Sequence, residues 1–195
     1  LKLNPSKTEL LIIPGDSSPG QDLQITLHDS LLSLSATARN LGVTMDNELS
    51  FFPHVANVAR SCRFLLYNIR RIRQFLSIQA AQMLVQLKKG THPHLLYYCN
   101  ALLGGCPASL INKLQLVQNA AARVLTRSRK YDHITPILSS LHWLPVKFRI
   151  DYKLLLLTYK ALNGLAPIYL SSLLTRYNPP RSLRSQNSWL LVVPR

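Results

Sequence analysis

From Phe52 onward, the apolar residues Val55, Val58, Ala59, Cys62, Leu65, Leu66, Ile69, Ile72 and Leu76 recur at intervals of three and four. Only a helix gathers such a series on one side, so the spacing predicts a helix beginning near Pro53 with a single apolar stripe to bury. At about 100° per residue, Arg60, Arg63, Arg70 and Arg71 fall within an arc of about 100° opposite that stripe, and Arg73 lies nearer its edge. An ordinary solvated helix face mixes glutamate with arginine. Here no acid occurs anywhere between Phe51 and Lys130, and that absence marks the face as basic rather than merely polar.

The same imbalance holds for the whole chain, where 23 Lys and Arg stand against 8 Asp and Glu for a net charge of +15. Such an excess either repels itself or faces a polyanion, so RNA, DNA or an RNA–DNA hybrid is the first class of partner. With 195 residues and 47% hydrophobic content, the chain can bury one core and has room for a second, smaller one. A membrane partner is not expected, because spanning needs roughly 20 consecutive apolar residues and the densest run here is the four leucines at 154–157. The chain opens on Leu1 without a signal-peptide pattern, which suggests that it begins inside something longer. Cys62, Cys99 and Cys106, odd in number and widely spaced, fit reduced thiols in a nuclear or cytoplasmic protein and read as small buried hydrophobes.

The organisation divides into three. Residues 1–52 carry short apolar runs broken by Pro14-Gly15 and Pro19-Gly20, which reads as strands and turns. Residues 53–177 are helical: a second helix runs from Pro107 through Leu110, Leu114, Val117, Ala121 and Leu125 into Arg127-Ser128-Arg129-Lys130, and a third over 147–163 stops at Gly164. Residues 178–195 have loop chemistry and are expected to be poorly ordered. The fold class is therefore α+β, mainly α. Arg123 and Arg127 add to the basic residues of the first helix, although cations there also suit a helix C-terminus.

Chemistry is sparse. Two-metal phosphoryl transfer needs converging carboxylates, and the acids here include no adjacent aspartate pair. Asp46 and Glu48 read as solvated acids of a turn. A zinc site from His92, His94, Cys99 and Cys106 is disfavoured, because only the histidine side is paired. No glycine-rich phosphate loop, nucleophile elbow or zinc-protease motif occurs. No metal is assigned and no self-contained enzyme is expected.

Several longer motifs carry a resemblance. The opening Leu1-Lys2-Leu3-Asn4-Pro5-Ser6-Lys7-Thr8-Glu9, then Asn40-Leu41-Gly42-Val43-Thr44-Met45-Asp46, and Leu114-Gln115-Leu116-Val117-Gln118-Asn119-Ala120-Ala121-Ala122-Arg123 occur in order. Leu141-His142-Trp143-Leu144-Pro145-Val146 and Tyr159-Lys160-Ala161-Leu162-Asn163-Gly164 follow. Together they resemble, in order and spacing, the carboxy-terminal part of non-LTR (LINE-type) retrotransposon reverse transcriptases.

The resemblance implies the end of a polymerase palm, a primer-grip hairpin and a helical thumb with its connector. Fingers, the rest of the palm and the catalytic aspartates would lie upstream in the same polyprotein, so this chain alone is expected to be inactive, and Mg belongs only to the intact polymerase. Lys7 falls where a cation near the pyrophosphate leaving group is implied, with a solvated lysine as the plain alternative. Leu41 and Gly42 would shape the hairpin that holds the primer terminus, Gly42 permitting close backbone approach. Arg60, Arg63, Arg70, Arg71, Arg123 and Arg127 would contact nucleic-acid phosphates. Trp143 beside Pro145 reads as an aromatic core plug at a helix boundary, and His142 as a structural histidine. The sequence departs from the pattern over 88–97, where Leu95 and Tyr97 replace an expected Arg and Asp; this suits an alternative, an inactive or domesticated relic acting as a helical protein-interaction module.

Overall fold

The computed structural model describes residues 4, 8–15, 25–27, 30–32, 34–87, 99–179, 181 and 190–193. Lys7, His92, His94, the departure over 88–97 and most of the tail lie outside the described residues. Within them, short antiparallel strands precede a series of helices, which is the α+β, mainly α class expected from the sequence.

Strand β1 (Ile25–Leu27) pairs with β2 (Ser30–Leu32), and β3 (Thr37–Asn40) with β4 (Val43–Asp46). In the second hairpin Asn40 faces Val43, so Leu41-Gly42 is a two-residue turn. Both turn residues have positive φ, 47° and 86°, the pair of values a type I′ turn requires to match strand twist. The preceding chain is tied to this hairpin: the Arg39 N–H donates to the Glu9 carboxylate at 2.6 Å.

Asp46 overturns the expectation of a solvated turn acid. It is buried, and its carboxylate accepts from the Ser50 N–H, the Ser50 hydroxyl and the Phe51 N–H. Left-handed backbone at Leu49 and Phe51 wraps the chain around the carboxylate. Burial pushes its pKa up, yet the hydrogen bonds from Ser50 and Phe51 outweigh this and hold the carboxyl below its ordinary value. Next to it His54, also buried, accepts the Thr44 N–H on Nδ1 at 3.3 Å. Burial, and secondarily the charge of Arg39, lowers the pKa of His54 and favours the neutral ring that this bond needs.

Helix α1 (Phe52–Ile72) buries Val55, Val58, Ala59, Cys62, Leu66 and Ile69, most of the stripe read from the spacing, whereas Leu65 is half-buried and Ile72 is exposed. It stops at Ile72, however. A 3-10 turn over Arg73–Phe75 redirects the chain into α2 (Ile78–Leu87), so Leu76 does not continue the same helix. After a 3-10 turn at Asn100–Leu103 come α3 (Ala108–Thr126), α4 (Ile134–Ser140), α5 (Val146–Leu162) and α6 (Ile168–Ser171). Gly164, at φ 69°, ends α5 as expected, with the Leu165 N–H reaching back to the Lys160 carbonyl.

Helices α1 and α3 run side by side in the same direction. At one end the Lys113 ammonium lies 5.4 Å from the centre of the Phe52 ring, and at the other Arg73 reaches the carbonyls of Val124 and Leu125. The main core lies between them, where Val55, Cys62 and Leu66 meet Leu110, Leu114 and Val117, with Val43, Val146 and Ile150 closing it. A smaller cluster joins Ile69, Ala81, Val85 and Leu125, and Trp143 packs against both. That position makes Trp143 the aromatic plug anticipated from its motif.

The surrounding residues explain the rest of that motif. Gln118 is buried and donates to the Leu144 carbonyl at 3.0 Å, while the Gln115 side-chain oxygen accepts the Val146 N–H at 2.9 Å. Because Pro145 has no side chain with which to cap α5, a glutamine from α3 does so instead. His142 contributes through its backbone: it is exposed, at φ 53°, with its N–H bonded to the Ser139 carbonyl. Among the described residues no helix is long and apolar enough to cross a membrane.

Candidate nucleic-acid interface

Each α-helix ends with carbonyls that lack intrahelical partners and with a partial negative charge. Because α1 and α3 are parallel, these two ends converge, and the chain meets them with arginine. Arg73, only 6% exposed, donates from Nε to Val124 (3.0 Å), from Nη2 to Leu125 (2.6 Å) and from Nη1 to Leu76 (2.8 Å). Arg127, left-handed at the end of α3, donates back to the carbonyls of Arg73 (3.1 Å) and Gln74 (3.3 Å).

Above this clamp, α1 and α3 enclose a groove of about 780 Å³. Arg63, Arg70 and Arg73 line it from the α1 side, and Arg123, Arg127 and Lys130 from the α3 side, with no acid among the described lining residues. Six cations of one sign in a single concavity raise a positive potential that attracts polyanions. They are not equivalent, because Arg73 and Arg127 are engaged with carbonyls. Arg63, Arg70 and Lys130 are exposed and face solvent. Arg123 is intermediate: Nη2 donates to the Asp132 carbonyl at 3.3 Å, while Nε is buried with no hydrogen-bond partner. A buried donor left unpaired costs about 1–3 kcal/mol.

The structure thus brings together Arg63, Arg70, Arg123 and Arg127 from the residues singled out in the sequence. Arg60 and Arg71 are exposed on α1 but do not line the groove. Leu41 and Gly42 stand at the tip of a separate hairpin, with Leu41 82% exposed. Arg73 and Lys130 were not anticipated as part of the constellation. The signal for Arg73 was its place at the edge of the apolar stripe, but the carbonyls it meets lie 51 and 52 residues away. Among the described residues no group of three or more His, Cys, Asp or Glu side chains could hold a metal ion. The buried Asp46 carboxylate is occupied by its own loop.

The chain is similar to the Drosophila melanogaster protein described as Probable RNA-directed DNA polymerase from transposon BS, with 27% identity over 130 residues. The match covers 65% of this chain and 14% of that protein's length. No protein-family model and no solved structure matches the chain. The relationship agrees with the resemblance read from the motifs and connects the chain, at the level of the family, to retrotransposon RNA-directed DNA polymerases.

Proposed function

We propose that this chain is a nucleic-acid-gripping part of a retrotransposon RNA-directed DNA polymerase, one that holds the backbone of a primer-template and supplies no catalytic carboxylate of its own. The observation that carries this reading is the groove between α1 and α3, where six cations gather with no acid among the described lining residues. Phosphate contacts position a nucleic acid without reading its sequence, and the groove is equipped for that task. The Leu41-Gly42 tip would meet the primer terminus and Lys7 the leaving group in the intact enzyme, with the fingers and the rest of the palm supplied from elsewhere in the polyprotein.

The test is binding of a labelled RNA–DNA primer-template across a salt titration. Replacing Arg63, Arg70 and Lys130 together by glutamine should flatten the dependence of log K on log salt by roughly 2–3. Changing Arg60 and Arg71 to glutamine should flatten it less. Equal losses from the two variants would overturn the groove as the site, and absence of binding by the wild-type chain at low salt would overturn the reading itself.

One observation favours a second reading, a relic acting only through protein contacts. Helix α5 buries Val146, Ile150 and Ala161 but exposes Phe148, Tyr152, Leu155 and Tyr159 at one-turn spacing on its opposite side. A helix that is apolar on two sides ordinarily has cover on both. Under this reading, Tyr152→Ser with Leu155→Ser abolishes association with other proteins, and the arginine variants change nothing.

A further inference from the structure

Resting on the groove as the nucleic-acid site, we propose that it takes an unpaired strand, with bases laid on its apolar walls and phosphates at its cationic rim. Charge alone would suit a duplex equally well. The walls decide between the two.

Exposed Tyr67 on α1 and exposed Leu116 on α3 line the groove together with Ala120 and Val124, so the surface between the cations is largely hydrocarbon and aromatic. A duplex keeps its bases stacked inside and offers a protein surface its sugar-phosphate edge, which gains nothing from an apolar wall. An unpaired strand offers base faces, which are apolar and stack on aromatic rings regardless of sequence. A volume of about 780 Å³ also lies within the roughly 300–1,000 Å³ range of clefts that engulf individual ligand groups.

The local spacing is compatible with stacking. Tyr67 is 62% exposed and lies four residues after Arg63 and three before Arg70. At a helical rise of 1.5 Å per residue these arginines sit roughly 6 Å and 4.5 Å away along the axis. A base on the Tyr67 ring therefore leaves its phosphates within reach of either arginine. Arg123 adds a guanidinium on the opposite wall. Among the described lining residues the neutral amides are Gln74 and Asn119, too few for a sequence code, so binding is sequence-tolerant.

The experiment measures fluorescence anisotropy at low salt with three labelled probes of equal length: oligo(dT), oligo(rU) and a blunt RNA–DNA duplex. The wild-type chain should bind both single strands at least about tenfold more tightly than the duplex. Tyr67→Ser should weaken single-strand binding by roughly tenfold and leave duplex binding unchanged, whereas Tyr67→Phe retains both, because the ring alone is needed. Duplex binding as tight as single-strand binding, or an unaffected Tyr67→Ser, overturns the unpaired-strand assignment. If arginine-to-glutamine changes at 63 and 70 still abolish duplex binding in that case, the groove survives as a backbone site. Absence of binding to all three probes overturns both readings.

Discussion

Arg73 and Arg127 each hold the other's helix end: the Arg73 guanidinium donates to the carbonyls of Val124 and Leu125, and the Arg127 guanidinium donates to the carbonyls of Arg73 and Gln74. The exchange fixes the ends of two parallel helices whose dipoles would otherwise repel. Removing the buried partner strands several acceptors at once. Arg73→Met should therefore cost about 3 kcal/mol in urea unfolding, and Arg73→Lys about half as much, because an ammonium keeps the charge but not the planar fork. Arg127→Ala, at an exposed site, should cost less than about 1 kcal/mol. A loss below about 1 kcal/mol for Arg73→Met would show that water replaces the guanidinium and that the clamp is not structural.

The hairpin tip makes a prediction of opposite sign. Leu41 sits at φ 47° beside Gly42 at φ 86°, a conformation for which asparagine followed by glycine is strongly preferred. Leu41→Asn should stabilise the chain by about 0.5–1 kcal/mol. Thermal melting decides the sign, and an unchanged or lower Tm would mean that Leu41 makes stabilising contacts at the tip. If the tip holds a primer terminus, the same variant should bind primer-template more weakly despite its greater stability.

Acid should loosen the joint between the β3–β4 hairpin and α1. His54 has a lowered pKa in the folded chain against an ordinary value of 6.5, so the unfolded state takes up its proton first as pH falls. Its contribution to stability is complete above about pH 6.5 and declines as pH falls toward the folded-state value. Asp46, also lowered, adds a second decline below its ordinary 3.8. Unfolding free energies measured between about pH 7 and 5 should fall in the wild type and flatten in His54→Gln. An unchanged slope in that variant would place the acid sensitivity elsewhere.

Thiol labelling should report the core directly. Cys62 is fully buried and its pKa is pushed up to about 12 by that burial, leaving almost no thiolate to react. Cys99 and Cys106 are only partly buried, although burial also raises the Cys106 pKa. In native buffer a disulfide-exchange reagent should modify the latter two and leave Cys62 untouched until denaturant is added. Early labelling of Cys62 would mean that α1 opens locally without global unfolding.

The candidate site was half legible beforehand. Arg63 and Arg70 could be placed together because they share one helix, whose periodicity fixes relative angles without any tertiary information. Arg123 and Arg127 could be recognised as basic but not paired with them, since that needs the relative direction of α1 and α3. Arg60 and Arg71 looked equivalent to their neighbours on the wheel, yet the second wall of the groove stands on one flank only. Asp46 was misread because a short acidic turn ordinarily faces water, and only the left-handed residues Leu49 and Phe51 reveal that this one folds over its carboxylate.

Local regularity, in short-range spacing and helix-stop chemistry, determined most of the α1 stripe and the Gly164 stop, because each depends on residues within a turn or two of one another. The direction in which α1 and α3 lie, the division of the arginines into those holding carbonyls and those left exposed, and the apolar walls beneath them were decided only by the tertiary structure. The physical reason is that each depends on groups some fifty residues apart, whose meeting is set by the packing of the whole core and not by any local preference.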